Sequence, residues 1–172
     1  SDSWMGILSE GAGGSPTTQQ QDVAVGRFPV STPEEAKIMV DKTINYMENA
    51  NAGSWQNTLM FMADDGNDNL HMKDADEVAN YIADKYPDFQ IKKVMWDAYQ
   101  RTTSSVGNSY PEVTRIIKEQ QANGALIMDY AGHASAGQLS HEQVVKLMDF
   151  NNFKNTNLPL WVTAACDVMP YD

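Results

Sequence analysis

The sequence predicts an α/β fold, a mostly parallel sheet with helices on both faces. Four short apolar runs have the length of single strands, and stretches with a helical spacing of apolar residues lie between them. This alternation is typical of β-α-β units, in which right-handed crossovers place helices on both faces of a parallel sheet. The predicted strands are Leu59–Ala63, Ile91–Trp96, Ala125–Tyr130 and Leu158–Ala165.

The predicted helices occupy the intervals around these strands. The first begins at Pro33, directly after the capping residue Thr32, and extends to about Ala50. Residues 1–22 show no periodicity and are predicted to be a loop-like lead-in. We therefore place the folded domain at residues 23–172 and expect it to be truncated at its C-terminal end. Three further helices are predicted at Asp74–Tyr86, at Pro111–Asn123, and from Ser140 through Val144, Val145 and Leu147.

Composition and charge exclude several classes of function. The 172 residues carry a net charge of −11, a balance that opposes binding to nucleic acid or to an anionic membrane surface. One cysteine can form neither an internal disulfide nor a multi-cysteine zinc site. No segment approaches the roughly 20 consecutive apolar residues of a membrane span. We expect no nucleic-acid partner and no membrane insertion by this segment.

Chemically active residues follow three of the predicted strands. An acidic loop comes after the first strand, His133 after the third and Cys166 after the fourth. The carboxyl ends of parallel strands meet at one edge of the sheet, where open α/β proteins bind their ligands. The sequence therefore predicts a site at this edge.

His133 and Cys166 form the strongest candidate pair. A thiol becomes a good nucleophile when a neighbouring imidazole takes its proton, and the imidazole then returns that proton to a leaving amine. Gly132 allows close approach of a substrate and offers a backbone N–H to an oxyanion. These residues predict a cysteine peptidase. The alternative is that Cys166 is a small buried apolar residue at the end of a strand.

The acidic loop contains Asp64, Asp65 and Asp68, followed by His71. Three interpretations remain open: a calcium site of a type other than the EF-hand, held by Asp64 and Asp68; a third catalytic member that orients His133; and a solvated loop. His141 lacks the second histidine of a zinc-protease helix, so we expect it to be a surface residue.

Five short motifs, in order over about residues 20 to 170, resemble the gingipain-like cysteine peptidases. Within that family the likeness is greatest to the sortase-like signal peptidases of type IX secretion. The motifs are Asp22-Val-Ala-Val-Gly-Arg-Phe-Pro-Val30, Thr32-Pro-Glu-Glu-Ala36, Ala63-Asp-Asp-Gly66, Tyr130-Ala-Gly-His133 and Thr163-Ala-Ala-Cys166.

The resemblance implies a caspase-like fold with His133 as general base and Cys166 as nucleophile. It further implies that Asp65 is the third catalytic member and that Asp68 faces the first substrate pocket. Ala134, next to substrate, stands where the family usually has glycine. The implied activity is that of an endopeptidase or transpeptidase that acts on a peptide or protein through a thioester.

The resemblance also implies a location outside the cell or at its surface, associated with the outer membrane. It implies a longer parent chain and no required cofactor beyond structural calcium. The alternative function is a non-catalytic binding or assembly module of a secretion or surface system, which keeps the fold without turnover.

Overall fold

The computed structural model describes residues 2–15 and 18–168, so positions 1, 16 and 17 of the predicted lead-in and positions 169–172 of the predicted domain lie outside the described residues. The chain divides into two compact units, residues 1–48 and 49–172. The boundary between the units falls after the first helix. The start of the folded domain at residue 23 stays a prediction. No helix in the described ranges has the length and apolar character needed to cross a membrane.

The first unit contains a 3₁₀ helix, Asp2–Gly6, and helix α1, Pro33–Glu48. The predicted cap of α1 is confirmed: the Thr32 hydroxyl accepts a hydrogen bond from the Glu35 N–H, and the Glu35 carboxylate accepts one from the Thr32 N–H. The lead-in has more local structure than its composition suggested. The Asp22 carboxylate accepts hydrogen bonds from the N–H groups of Leu8 and Ser9, at 2.7 and 3.0 Å.

The second unit carries the sheet and the remaining helices. Four strands, β1 (Thr58–Ala63), β2 (Gln90–Met95), β5 (Ile127–Ala131) and β9 (Leu160–Ala164), form one parallel sheet in the order β2-β1-β5-β9, so the predicted fold class is confirmed. The elements in chain order are β1 (Thr58–Ala63), α2 (Gly66–Lys85), β2 (Gln90–Met95), β3 (Thr102–Ser104), β4 (Gly107–Ser109), α3 (Pro111–Asn123), β5 (Ile127–Ala131), β6 (Ala134–Ser135), β7 (Gln138–Leu139), β8 (Val145–Lys146), α4 (Leu147–Phe150) and β9 (Leu160–Ala164).

Both faces of β1 are buried, as expected for a central strand of a parallel sheet. Met60 and Met62 belong to the larger core cluster, which includes Ile117 of α3. Leu59 and Phe61 point to the opposite face and pack with Ala79 of α2. The period of two along the strand thus assigns alternate side chains to the two helical layers.

The predicted helix from Ser140 to Leu147 is wrong. Ser140 and Gln143 have positive φ angles of 57° and 56°, which interrupt a helix, and Val145 lies in β8. β6, β7 and β8 form a small antiparallel sheet in which Val145 pairs with Leu139. Val144 and Val145 are buried, so the apolar spacing that suggested a helix arises from a turn followed by a strand of β-branched residues.

Candidate active site

His133 and Cys166 occupy equivalent positions after neighbouring parallel strands. Ala131, the last residue of β5, pairs with Ala164, the last residue of β9. His133 and Cys166 each lie two residues beyond this pair. Adjacent strands in a sheet are about 4.8 Å apart, so the register brings the two residues to the same edge at the same level. Cys166 is exposed, and the described residues contain no hydrogen bond between its thiol and His133.

The order in which strands are added to the sheet reverses direction between β1 and β5. β2 lies on one side of β1, whereas β5 and β9 lie on the other. Such a switch point opens the crevice in which α/β proteins bind ligands. Asp64 directly follows β1 and His133 follows β5, so both residues border this crevice.

Asp64 is the centre of the hydrogen-bond network at the crevice. Its side chain is only 2% exposed. Oδ2 accepts a hydrogen bond from the His133 backbone N–H at 2.6 Å and lies 3.2 Å from the Tyr130 hydroxyl oxygen. Oδ1 accepts one from the Gly66 N–H at 3.2 Å and lies 2.5 Å from His71 Nδ1. Asp64 therefore holds the backbone of the histidine loop to the end of β1.

The Tyr130 hydroxyl also fixes the loop that contains His133. Its oxygen lies 2.6 Å from the His133 carbonyl oxygen. Burial and the neighbouring Asp64 charge raise the pKa of the Tyr130 hydroxyl, which therefore stays protonated as a donor. Both the N–H and the C=O of His133 thus bond to buried side chains.

The three histidines of the chain lie together. The ring centroids of His133 and His71 are 5.0 Å apart, and those of His133 and His141 are 4.8 Å apart. His141 is exposed, as predicted, but its ring lies beside His133, a contact that the sequence did not indicate. On another side the His133 ring packs against Gly66, where an added Cβ would lie 2.8 Å from Nε2.

Asp65, predicted to be the third catalytic member, is directed elsewhere. Its carboxylate accepts a hydrogen bond from the Tyr110 hydroxyl at 2.9 Å, and none from His133 within the described part of the chain. The neighbouring Asp64 makes the contacts to the histidine loop instead. The sequence placed both carboxylates after β1 but did not indicate which one turns toward His133.

Tyr110 should make stability fall at alkaline pH. Burial, followed by the hydrogen bond to Asp65, raises the pKa of Tyr110 to about 12. Because this folded-state pKa lies above the unfolded value of about 10, the stabilisation is complete below pH 10 and is lost as the pH rises toward 12. Between pH 9 and 11 we expect the wild-type free energy of unfolding to fall by about 1 kcal/mol more than that of Tyr110→Phe. Urea titrations of both proteins would measure this difference, and equal slopes would contradict it.

Gly132, whose N–H was predicted to bind an oxyanion, instead forms a backbone hydrogen bond within the sheet. Its N–H donates to the Ala164 carbonyl at 3.3 Å, so it continues the sheet and is not free to bind an oxyanion. A Cβ at Gly132 would lie 2.7 Å from Cγ of Asp64. The glycine is thus needed for close packing against Asp64. Ala134, which follows His133, begins β6 and pairs with Leu139.

Asp68 and Asp64 do not fit a shared calcium site. Both Asp64 oxygens already accept hydrogen bonds, whereas a calcium ligand needs its lone pairs for the ion. Asp68 is exposed, in a left-handed segment from Asn67 to Asn69 that interrupts the start of α2 directly after Gly66. The described ranges contain no group of three or more His, Cys, Asp or Glu side chains placed to hold a metal ion.

An apolar pocket lies between chain segments that neighbour the two predicted catalytic residues, although neither His133 nor Cys166 lines it. It has a volume of about 260 Å³. Ser135 and Ala136, which follow His133, line one part, and Thr163 and Val168, which flank Cys166, line another. The pocket was not predicted, because its lining comes from three segments that no local pattern connects.

Cysteine-type peptidases use a cysteine together with a histidine, and the sheet of this chain carries one of each after neighbouring strands. The chain belongs to peptidase family C25, which matches it over residues 1–172. The predicted resemblance to the gingipain-like cysteine peptidases is thereby confirmed at the level of the family. A search of curated proteins finds no match.

A solved structure supports the same fold. The crystal structure of the Arg-specific cysteine proteinase gingipain R matches with a TM-score of 0.63 and 18% sequence identity. The match covers 85% of this chain and 32% of the gingipain chain. The chain therefore spans about a third of the length of that protein.

Proposed function

We propose that this chain carries the catalytic edge of a cysteine peptidase, with Cys166 as nucleophile and His133 as general base. The matched register after β5 and β9 is the observation that carries the proposal. Family membership supports the type of reaction. Asp64 takes the place that the sequence gave to Asp65, as a positioning residue that acts through the His133 backbone.

The reaction begins when the Cys166 thiol transfers its proton to the His133 imidazole. Sγ then forms a bond to the carbonyl carbon of the scissile peptide, and the carbonyl π electrons move to its oxygen. The tetrahedral adduct expels the amine, whose nitrogen takes the proton from His133. The product at this stage is a thioester between Cys166 and the acyl half of the substrate.

The second step decides between two activities. Water attacks the thioester in an endopeptidase, whereas an amine attacks it in a transpeptidase. The location outside the cell, the link to type IX secretion and the longer parent chain stay predictions that the resemblance makes.

The first test is the pH dependence of Cys166 alkylation by iodoacetamide. Because the chain has one cysteine, the reagent reports that thiol alone. A thiolate paired with an imidazole reacts well below the free cysteine pKa of about 8.5. We expect fast labelling near neutral pH in the wild type and an ordinary thiol profile in His133→Ala.

His141→Ala is the matched control, since it removes a neighbouring ring without removing the proposed base. It should keep most of the enhanced labelling. Identical pH profiles of alkylation for the wild type and His133→Ala would contradict the catalytic proposal. That outcome would favour the alternative of a binding or assembly module that keeps the fold without turnover.

A further inference from the structure

The geometry points to a substrate subsite for a large uncharged side chain, leucine, methionine or phenylalanine, in the apolar pocket whose lining includes residues before and after Cys166 in the chain. The inference rests on the proposed function, because it assigns the pocket to the peptide that Cys166 would attack. It adds the class of residue recognised next to the scissile bond, and it places that residue in a pocket that Asp68, assigned to the first substrate pocket by the resemblance, does not line.

The position of the pocket supports this assignment. Its lining includes residues two and three positions after His133, and Thr163 and Val168 lie on either side of Cys166. A side chain adjacent to the attacked carbonyl must lie near both the nucleophile and the base. Since this pocket adjoins the chain segments of both, a bound peptide can place one side chain in it while its carbonyl faces the thiol.

The size of the pocket fits one large side chain. An apolar cavity of about 150 Å³ holds benzene. The volume here is about 260 Å³, enough for a leucine, methionine or phenylalanine side chain. Leu139, Val145 and Phe150 supply apolar walls, and Trp161 from β9 contributes an aromatic surface.

The charge of the pocket opposes a basic side chain. Among the described lining residues there is no aspartate or glutamate, and the one charged residue is Lys146. A guanidinium group in this pocket would lose water without gaining a carboxylate partner, and it would meet a like charge. The matched gingipain R is described as Arg-specific. The pocket of this chain lacks the acidic partner that binding arginine there would need.

Peptidyl chloromethyl ketones test the assignment directly. In the labelling step the Cys166 thiolate forms a thioether to the methylene carbon and chloride leaves. We would compare reagents that share an Ala-Ala segment and differ in the last residue, which is leucine, phenylalanine, arginine or aspartate. The wild type should react about tenfold or more faster with the leucine and phenylalanine reagents than with arginine. Mass spectrometry of the intact protein gives each rate.

Leu147→Glu should reverse this preference, and Met148→Glu is its matched control. Both side chains are solvent-exposed, at 64% and 65%, but only Leu147 lines the pocket. A glutamate at 147 supplies a carboxylate for arginine, so the ratio of arginine to leucine labelling should rise about tenfold. Lys146→Glu should act in the same direction, and Met148→Glu should leave the ratio within about twofold of the wild type.

Iodoacetamide, which has no peptide portion, separates failure of this inference from failure of the proposed function. If His133-dependent iodoacetamide labelling is present but the peptidyl reagents react equally, or arginine reacts fastest, the subsite assignment is wrong and the proposed chemistry stands. The assignment is also overturned if Leu147→Glu and Met148→Glu change the ratio equally. If iodoacetamide labelling is independent of His133, the proposed function fails and the subsite fails with it.

Discussion

Gly66→Ala should lower kcat/KM for peptide cleavage by about 100-fold while the protein remains folded. A Cβ at this position would lie 2.7 Å from Cδ2 and 2.8 Å from Nε2 of His133, so the imidazole ring must move. Displacing a catalytic group by about 1 Å can reduce the rate by about this factor. Alkylation of Cys166 at neutral pH should fall toward the rate of His133→Ala.

Gly26→Ala is the control for this substitution. Gly26 lies in the first unit, and a Cβ there would meet no atom within 4 Å. We expect wild-type cleavage and alkylation from this variant, and circular dichroism should show that both variants are folded. Wild-type kinetics in Gly66→Ala would contradict the prediction, because the Nε2 edge of His133 could not then be the reactive edge.

Asp64→Asn should destabilise the protein by about 3 kcal/mol and weaken the dependence of Cys166 alkylation on His133. The buried carboxylate accepts hydrogen bonds from two backbone N–H groups, pairs with His71 and lies 3.2 Å from the Tyr130 hydroxyl oxygen. Asparagine replaces one carboxylate oxygen with an NH₂ group, which cannot accept a hydrogen bond. Either the Gly66 N–H or the His133 N–H would then lose its acceptor. For a protein of this size the melting temperature should fall by about 6–12 °C, measurable by calorimetry.

Asp65→Asn is the control, because this neighbouring carboxylate accepts one hydrogen bond, from Tyr110. We expect a loss of about 1 kcal/mol and little change in alkylation. The comparison also tests which carboxylate positions His133. A larger effect of Asp65→Asn on both measurements would restore the role that the sequence gave to Asp65 and remove that of Asp64.

Several elements could be predicted because their signals are local. Thr32, Pro33 and Glu35 mark the start of α1 by their capping chemistry, and the structure contains the expected bonds. The apolar run at β1 predicts a buried strand, and every residue of β1 is buried in the structure. The helix predicted after Ser140 was wrong for the opposite reason, because β8 forms through its pairing with β7. That pairing is a contact between separate segments, which helical periodicity does not encode.

The sequence by itself determined the fold class and the edge of the sheet where the candidate chemistry lies. Strand ends can be read from apolar runs, and parallel strands bring their carboxyl ends together, so His133 and Cys166 were predicted to share one edge. The tertiary structure decided how the site is built there. The direction of each side chain beyond a strand end depends on local backbone angles and on packing between segments. Those factors directed Asp64 toward the His133 loop, Asp65 toward Tyr110 and the His133 ring against Gly66.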